Sequence, residues 1–284
     1  MVTPIDESVP AKKPRMSTRN RVLFLLTGWL IVLMPFLFWW NTWFGRHLSD
    51  KELADYLHDD KKPRHIQQAL VQIGERITHN DRDVTRWYPD ALRLANYPVE
   101  EVRNTDAWVM GQDTSGAGFH EALLKMLNDP SLTVRGNAAL SLVRFGDAGG
   151  RPQILELLQT QKVLAPTDGT ITDNGTVGSA VRGGGVVAKL KFANGTNEEL
   201  RSPISGRIRS ISTAEGSHVV VGQEIATIAP DTEQVWEALR ALYLIGQTAD
   251  IAAVTPYERE LPDISDRVRK QAVETEAAIR AREK

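Results

Sequence analysis

Three patterns of apolar and polar residues follow one another along the chain. Residues 22–44 form the run VLFLLTGWLIVLMPFLFWWNTWF, which contains no charged side chain. The next region has apolar residues at helical spacing, as at Val134, Ala138 and Leu142. Between residues 163 and 229, Gly, Val, Ile and Thr dominate and turn residues recur, which is typical of short β-strands. Helical spacing then returns, so the pattern predicts a multidomain protein with α and β parts.

The uncharged run is long enough to cross a bilayer, because about 20 apolar residues span the hydrocarbon core. Trp39, Trp40 and Trp43 near its end fit an aromatic belt at the membrane interface. The alternative is a cleaved signal peptide, whose apolar region is only ~7–15 residues long and ends at a small-x-small site. Here NTWFGRHLSD follows instead. We predict an uncleaved transmembrane helix at 21–45, preceded by a disordered cytoplasmic tail at 1–20.

Lysine and arginine are distributed unequally about this run. The fifteen residues before it carry five of them, and the fifteen after it carry two. Cytoplasmic flanks of membrane helices are enriched in these residues, so the N-terminus is expected in the cytoplasm. In a Gram-negative bacterium this predicts a single-pass inner-membrane protein with periplasmic C-terminal domains. The reversed topology, with a cytoplasmic scaffold, is the alternative.

The helical segments recur at intervals of 32–36 residues. Several carry a proline followed by a Val-Arg pair, a pattern that resembles HEAT repeats of the short bacterial type. The residues concerned are Pro98, Val102, Arg103, Pro130, Val134, Arg135, Pro262, Val268 and Arg269. Segments starting near Ile66 and Val235 keep the apolar spacing without the Val-Arg pair. The resemblance implies a protein-binding α-solenoid in which the arginine contacts a carboxylate of the neighbouring repeat. An ordinary helical bundle is the alternative.

One interval is too long for a repeat. Val134 and Val235 are 101 residues apart, and removing residues 163–229 leaves 34. The spacing therefore predicts HEAT-like helices at 46–162 and 230–284, with a separate domain inserted between them at a loop, where insertion costs little.

The inserted segment contains an internal duplication. VLAPTDGTI matches LRSPISGRI about 37 residues later, and G-S-x-V-x-x-G occurs twice, 38 residues apart. The shared prolines and glycines are Pro166, Gly169, Gly178 and Gly184 in the first half, and Pro203, Gly206, Gly216 and Gly222 in the second. This pattern resembles the biotinyl/lipoyl domain superfamily, which implies a small all-β barrel-sandwich hybrid.

Carrier domains of that superfamily hold a modified lysine on a tight hairpin between the two halves. Gly195 lies where that lysine is expected, and Asn194-Gly195 is typical of a type I′ hairpin turn. Lys189 and Lys191 lie upstream, where strand is expected. We therefore predict no covalent biotin or lipoate and no other cofactor. Membrane fusion proteins also have this fold without the prosthetic group, but their two halves usually flank a long helical hairpin. Here only KFANGTNEE joins the halves.

Other chemistry is not favoured by the sequence. Lysostaphin-type zinc endopeptidases have a similar strand pattern, but they need several histidines and an aspartate. The insert has only His218, and Asp168 and Asp173 are typical turn residues, so neither a metal site nor a catalytic residue is predicted. The chain has no cysteine, which excludes disulfides and thiolate sites. A net charge of −2 gives no indication of nucleic-acid binding.

Together these features predict a non-enzymatic, membrane-anchored adaptor or scaffold subunit of an envelope transport or export complex. It would bind protein partners through the HEAT-like solenoid and the non-acylated lipoyl-like domain, and self-association is compatible with this role. The alternative function is a degenerate cell-wall peptidase-like or biotin-carrier-like protein with a regulatory role.

Overall fold

A computed structural model of the chain describes residues 17–43, 46–260 and 264–282, and the chain divides into a unit that ends at Ser49 and a larger one that begins at Asp50. The predicted tail up to residue 16, and Pro262, lie outside the described residues. In the first unit, α1 runs from Thr18 to Trp43.

The helix α1 is long and apolar enough to cross a membrane over Thr18–Leu37, and none of its candidate span is buried. Pro35 lies inside it. By length and composition alone, a signal sequence near the N-terminus also qualifies. The membrane anchor at 21–45 therefore stays a prediction.

In the larger unit the helices pack in successive pairs. The pairs are α2 (Asp50–Leu57) with α3 (Pro63–Thr78), α4 (Tyr88–Leu94) with α5 (Glu100–Met110), α6 (Phe119–Met126) with α7 (Leu132–Arg144), α8 (Arg151–Leu157) with α9 (Thr232–Ile245), and α10 (Ile251–Val254) with α11 (Asp266–Arg282). Short 3-10 turns occupy Arg82–Trp87, Thr248–Asp250 and Thr255–Glu258. The second helices of the pairs contact one another in chain order. We call α3, α5, α7, α9 and α11 the second-helix row.

The apolar spacing explains why these helices pack. One aliphatic residue near the start of each helix of the second-helix row is almost fully buried: Ile66, Val102, Val134, Val235 and Val268. Burying a side chain of this kind stabilises the fold by about 1.5–3 kcal/mol. Because a single helix pair has no other surface to bury this face, neighbouring pairs share one continuous core.

Eight strands lie between α8 and α9 and form what we call the β-module. They are β1 (Gln161–Leu164), β2 (Gly169–Asn174), β3 (Ala180–Val181), β4 (Val186–Lys191), β5 (Asn197–Arg201), β6 (Gly206–Ile211), β7 (His218–Val219) and β8 (Glu224–Pro230). They form two open, antiparallel four-stranded sheets with the orders β1-β8-β6-β3 and β5-β4-β2-β7. Ile171, Leu190, Ile208 and Ile228 are part of their shared apolar core.

The two sheets are related by the sequence duplication. The duplication makes β1 equivalent to β5, β2 to β6, β3 to β7 and β4 to β8. If each strand in the order β1-β8-β6-β3 is replaced by its equivalent, the result is β5-β4-β2-β7, which is the order of the other sheet. Each half of the duplication therefore contributes two strands to each sheet, so neither half encloses a core without the other.

The β-module interrupts a helix pair without separating it. The helices α8 and α9 pack together although eight strands lie between them in the chain, and α7 also contacts α9. The strands β1 and β8 pair, with Gln161 opposite Ile228, so the chain enters and leaves the module at adjacent points. The strands begin two residues before the predicted segment 163–229 and end one residue after it. The boundaries 46–162, 163–229 and 230–284 remain predictions.

Candidate functional site: repeat contacts and the inserted β-module

Arg103 connects one helix pair to the next. From the first turn of α5, its Nε donates to Oδ2 of Asp129 at 2.6 Å and its Nη2 to Oδ1 at 2.9 Å. Asp129 lies in the loop between α6 and α7. The remaining nitrogen, Nη1, donates to the carbonyl oxygen of Tyr97 at 2.8 Å. Both charged side chains are nearly buried, 12% exposed for Arg103 and 8% for Asp129. This is a bidentate pair, the strongest form of carboxylate recognition by arginine.

The pair also fixes the charge of its carboxylate. Burial alone would raise the pKa of Asp129, but the hydrogen bonds from Arg103 and from the Ser131 amide outweigh burial and hold that pKa below its usual range. The carboxylate in turn raises the pKa of Arg103. Both groups are therefore ionised at neutral pH.

Arg135 repeats this geometry one pair later. Its Nη1 donates to the carbonyl oxygens of Asp129 and Pro130 at 2.9 and 3.1 Å. In the same way, Nη1 of Arg103 donates to the carbonyl oxygens of Tyr97 and Pro98. Its Nη2 donates to Glu156 in α8 at 3.0 Å. The arginine positions named from the sequence thus bind a carboxylate of the following helix pair at two successive steps.

The last predicted arginine behaves differently. Arg269 lies 2.8 Å from the carboxylate of Asp266 and 3.5 Å from that of Glu260, both close to it in the chain. Its carboxylate partners are therefore local in the chain, unlike those of Arg103 and Arg135.

A second set of polar contacts within the second-helix row was not foreseen. Asn137 in α7 donates to the side-chain oxygen of Asn104 in α5 at 2.8 Å. The Ser141 hydroxyl donates to the carbonyl oxygen of Ala107 at 2.8 Å, and the Thr275 hydroxyl in α11 to that of Leu239 in α9 at 2.9 Å. The available sequence signal was that Ser141 and Thr275 each lie seven residues after the valine of their repeat, Val134 and Val268.

Exposed apolar side chains of the helical array are concentrated on one set of helices. Among the described residues of α2 to α11, the large apolar side chains that are exposed are Val71, Trp108, Tyr243, Leu244 and Val273. All five lie on the second-helix row, on α3, α5, α9 and α11. This row is therefore where the described helical array offers apolar surface to a partner.

The paired glycines of the β-module occupy equivalent positions. Gly178 and Gly216 have φ angles of 86° and 81°, and their amides donate to Ile208 and Ile171. Gly184 and Gly222 have φ angles of 73° and 79°, and their amides donate hydrogen bonds to backbone carbonyls at equivalent positions of the two halves. A side chain at these φ angles is strained, which explains the choice of glycine.

Gly169 and Gly206 are needed for a different reason. A Cβ on Gly206 would lie 1.9 Å from the carbonyl oxygen of Ala229 on β8, and a Cβ on Gly169 would lie 2.8 Å from that of Lys191 on β4. The two glycines therefore allow the central strands of each sheet to approach. The prolines of the motif, Pro166 and Pro203, lie exposed in the turns that precede them.

The hairpin between the two halves exists, but the predicted turn type is wrong. The ladder pairs Lys191 with Asn197, and the Phe192 amide donates to the carbonyl oxygen of Thr196. This register leaves a loop with an odd number of residues, which a two-residue type I′ turn cannot fill. Gly195 has a φ of 84°, whereas Asn194 is not among the residues with positive φ. The loop is therefore a type I turn followed by a left-handed glycine.

Neither lysine near the hairpin is at its tip. Lys189 and Lys191 lie on β4, and Nζ of Lys189 is 2.8 Å from the Asp173 carboxylate. The carboxylate raises the pKa of Lys189 by hydrogen bonding. Gly195, with its positive φ, lies in the loop between β4 and β5 instead.

The residues considered for a metal site have other partners. Asp168 accepts a hydrogen bond from the Val221 amide, Asp173 pairs with Lys189, and His218 lies on the short strand β7 opposite Thr170. In the described part of the chain, no group of three or more His, Asp or Glu side chains is placed to hold a metal ion.

Comparison with known proteins gives one family match. The HEAT repeat family matches residues 121–148, which include Pro130, Val134 and Arg135. No curated protein matches. The chain thus contains a HEAT repeat, within an array of similarly packed helix pairs.

Solved structures resemble the chain distantly. The CpcE–CpcF complex of phycocyanin lyase from Nostoc sp. PCC7120 is 16% identical over 83% of this chain and 66% of its own, with a TM-score of 0.42. A designed armadillo repeat protein is 15% identical over 80% of each chain, with a TM-score of 0.40. A long-chain acyl-CoA carboxylase is 16% identical over 35% of this chain and 9% of its own, with a TM-score of 0.25. Similarity at these levels carries no inference about activity.

Proposed function

We propose that this chain is a non-enzymatic protein-binding scaffold, anchored in a membrane, that serves as an adaptor subunit of an envelope transport or export complex. The observation that carries the proposal is the distribution of exposed apolar side chains. In the described helical array they lie on the second-helix row alone, from Val71 on α3 to Val273 on α11. A partner that bound along this row would cover these side chains.

The β-module supports the adaptor role. Its two sheets are exchanged by the internal duplication, and its hairpin has Gly195 where a carrier domain would have lysine. We assign it to the barrel-sandwich hybrid fold, in the non-acylated form that resembles membrane fusion proteins. It would dock onto a partner or a second copy rather than carry a prosthetic group.

The helix α1 supports a location of this complex at a membrane. Its length and apolar composition suit a membrane span, and the Lys and Arg residues before it favour a cytoplasmic N-terminus. The helical array and the β-module would then lie in the periplasm of a Gram-negative cell. The partners would be exposed subunits of a transporter or another envelope complex.

Site-specific photo-crosslinking in native cells tests the proposal. A photoreactive phenylalanine analogue replaces Trp108 or Tyr243 on the second-helix row, and Lys125 on α6 serves as the exposed control position. The expected result is that both row positions crosslink to the same membrane-complex subunit and the control does not. Equal crosslinking from Lys125, or none from either row position, would contradict the proposal.

A further inference from the structure

A groove of about 1230 Å³ separates the β-module from the C-terminal helices. One wall is the outer face of the sheet β1-β8-β6-β3, where small residues such as Ala180, Gly206 and Ala229 line the space. The opposite wall includes Ala252, Pro256 and Tyr257, from α10 and the 3-10 turn after it. The groove is therefore lined mainly by small and apolar groups.

The charges in this groove are unbalanced. Arg207, Arg209 and Arg259 line it and are exposed, and none of them pairs with a carboxylate in the described part of the chain. The two acidic residues that line it are engaged. Glu233 is paired with Arg267 at 2.8 Å, and Asp231 accepts the bond from the Gln234 amide that caps α9. Asp231 keeps its negative charge, so the lining has three arginines against one carboxylate without a cationic partner, and this net positive charge suits an occupant with negative charge.

The size and floor of the groove narrow the choice of occupant. Pockets for small molecules usually have volumes of about 300–1,000 Å³, which is less than this groove provides. Along the floor, β6 and β8 are hydrogen-bonded to each other, with Arg207 opposite Ala229 and Ile208 opposite Ile228. An extended peptide on this face would find no free backbone partners, and its own amides would remain unpaired.

An α-helix avoids this cost because its backbone groups bond within the helix. A helix of roughly 10 Å diameter fills the observed volume over about 16 Å, which corresponds to about three turns. Small side chains on the sheet allow a helix axis to approach closely. The matching sequence has apolar residues at i, i+3, i+4 and i+7.

We propose that this groove binds a short amphipathic α-helix of a partner protein, with an apolar stripe against the sheet and acidic residues toward Arg207, Arg209 and Arg259. The proposal rests on the scaffold function proposed above and names one of its binding modes. It also explains an asymmetry within the duplication. Thr170 and Thr172, 37 residues earlier, occupy the positions equivalent to Arg207 and Arg209, so this pair of arginines is present in one half of the duplication only.

The test uses the full chain in neutral-lipid nanodiscs and fluorescein-labelled, stapled twelve-residue peptides. The first peptide has leucine at i, i+3, i+4 and i+7 with flanking glutamates. The second replaces glutamate with lysine, and the third scrambles the order. Fluorescence anisotropy should detect binding of the first peptide alone, weakening as salt is raised.

Variants of the protein localise the binding. Arg209→Glu should weaken binding of the acidic peptide at least tenfold, and Ala229→Trp, which fills the floor, should abolish it. Lys191→Glu is the matched control, because it reverses an exposed charge at the end of β4, in the other sheet, and should leave the affinity unchanged. Circular dichroism verifies that each variant is folded.

Three results would overturn the proposal. The first is that the lysine peptide binds as tightly as the glutamate peptide. The second is that Lys191→Glu weakens binding as much as Arg209→Glu does. The third is that sub-micellar laurate displaces the peptide and the scrambled peptide binds equally well, which would assign the groove to an amphiphile. If the peptides fail while Trp108 still crosslinks to a partner, the groove proposal is wrong and the scaffold stands. If crosslinking also fails, both are wrong.

Discussion

The bidentate pair between Arg103 and Asp129 gives the sharpest test of how the helix pairs are joined. Replacing Arg103 with methionine keeps much of the apolar stem and removes four donated hydrogen bonds, two to the carboxylate and two to backbone carbonyls. It leaves Asp129, which is 8% exposed, with the Ser131 amide as a remaining donor. Removing one member of a buried pair costs about 3–5 kcal/mol, and the retained amide bond places the expected loss near ~3 kcal/mol.

Urea and thermal unfolding of the full chain in mild detergent, followed by circular dichroism, measure this loss. In a unit of this size, about 3 kcal/mol lowers Tm by roughly 6–12 °C. The control is Arg267→Met, which removes the exposed pair with Glu233 and the stacking on Trp236 and should cost about 1 kcal/mol. If both variants lose the same small amount, Arg103 does not join the pairs as described.

The pH dependence provides an independent check of the same contact. The pKa of Asp129 is lowered in the folded state, so its contribution to stability is present above the unfolded pKa and is lost as pH falls through the folded pKa. The Arg103→Met variant should therefore differ most from the wild type at neutral pH and less near pH 3. A difference that stays constant between pH 7 and 3 would refute the assignment.

Asp106 is fully buried, and its carboxylate has no hydrogen-bond partner among the described residues. Burial raises its pKa well above the usual range, so the folded state becomes less stable as pH rises from about 4. Asp106→Leu should add about 1–3 kcal/mol at pH 8 and little near pH 4, measured by urea unfolding. Gly206→Ala should unfold the β-module, because the added Cβ would meet the Ala229 carbonyl. Gly195→Ala has open space around the added Cβ and should cost only about 1 kcal/mol of stability. Susceptibility to proteolysis compares the two variants. Intact-mass analysis of chain purified from native membranes should find no biotin or lipoate, and a mass increase matching either would contradict the vacant hairpin tip. A periplasm-active reporter fused after Lys284 should be active, and activity of a cytoplasmic reporter instead would reverse the topology.

The helical array was predictable because its cause is local. Apolar residues at helical spacing, repeated at constant intervals, require a shared core, and Val102, Val134 and Val268 lie where that reasoning puts them. The partner of Arg103 was not given by spacing alone, because Asp129 is 26 residues away and reaches it only through the packing of α5 against the next pair.

Other features depend on how helices and strands pack against one another, which a short sequence pattern does not predict. The two-residue turn assigned to Asn194-Gly195 ignored the register of β4 and β5, which fixes the loop length. The groove beside Arg207 and Arg209 exists only because the β-module faces α10 and the turn after it. The sequence contains all of these residues but not their proximity.

The pairing of β1 with β8 affects how the whole array folds. The helices α8 and α9 belong to one pair, and roughly 70 residues lie between them. Without a folded β-module, joining them would close a long flexible loop, which costs about 2.5 kcal/mol more than closing a loop of four residues. The folded module removes this entropic cost by holding its two ends side by side. The C-terminal helix pairs thus depend on the β-module for their assembly. A destabilising substitution in its sheets should slow the docking of α9 and α11, although these helices are far from the altered residue.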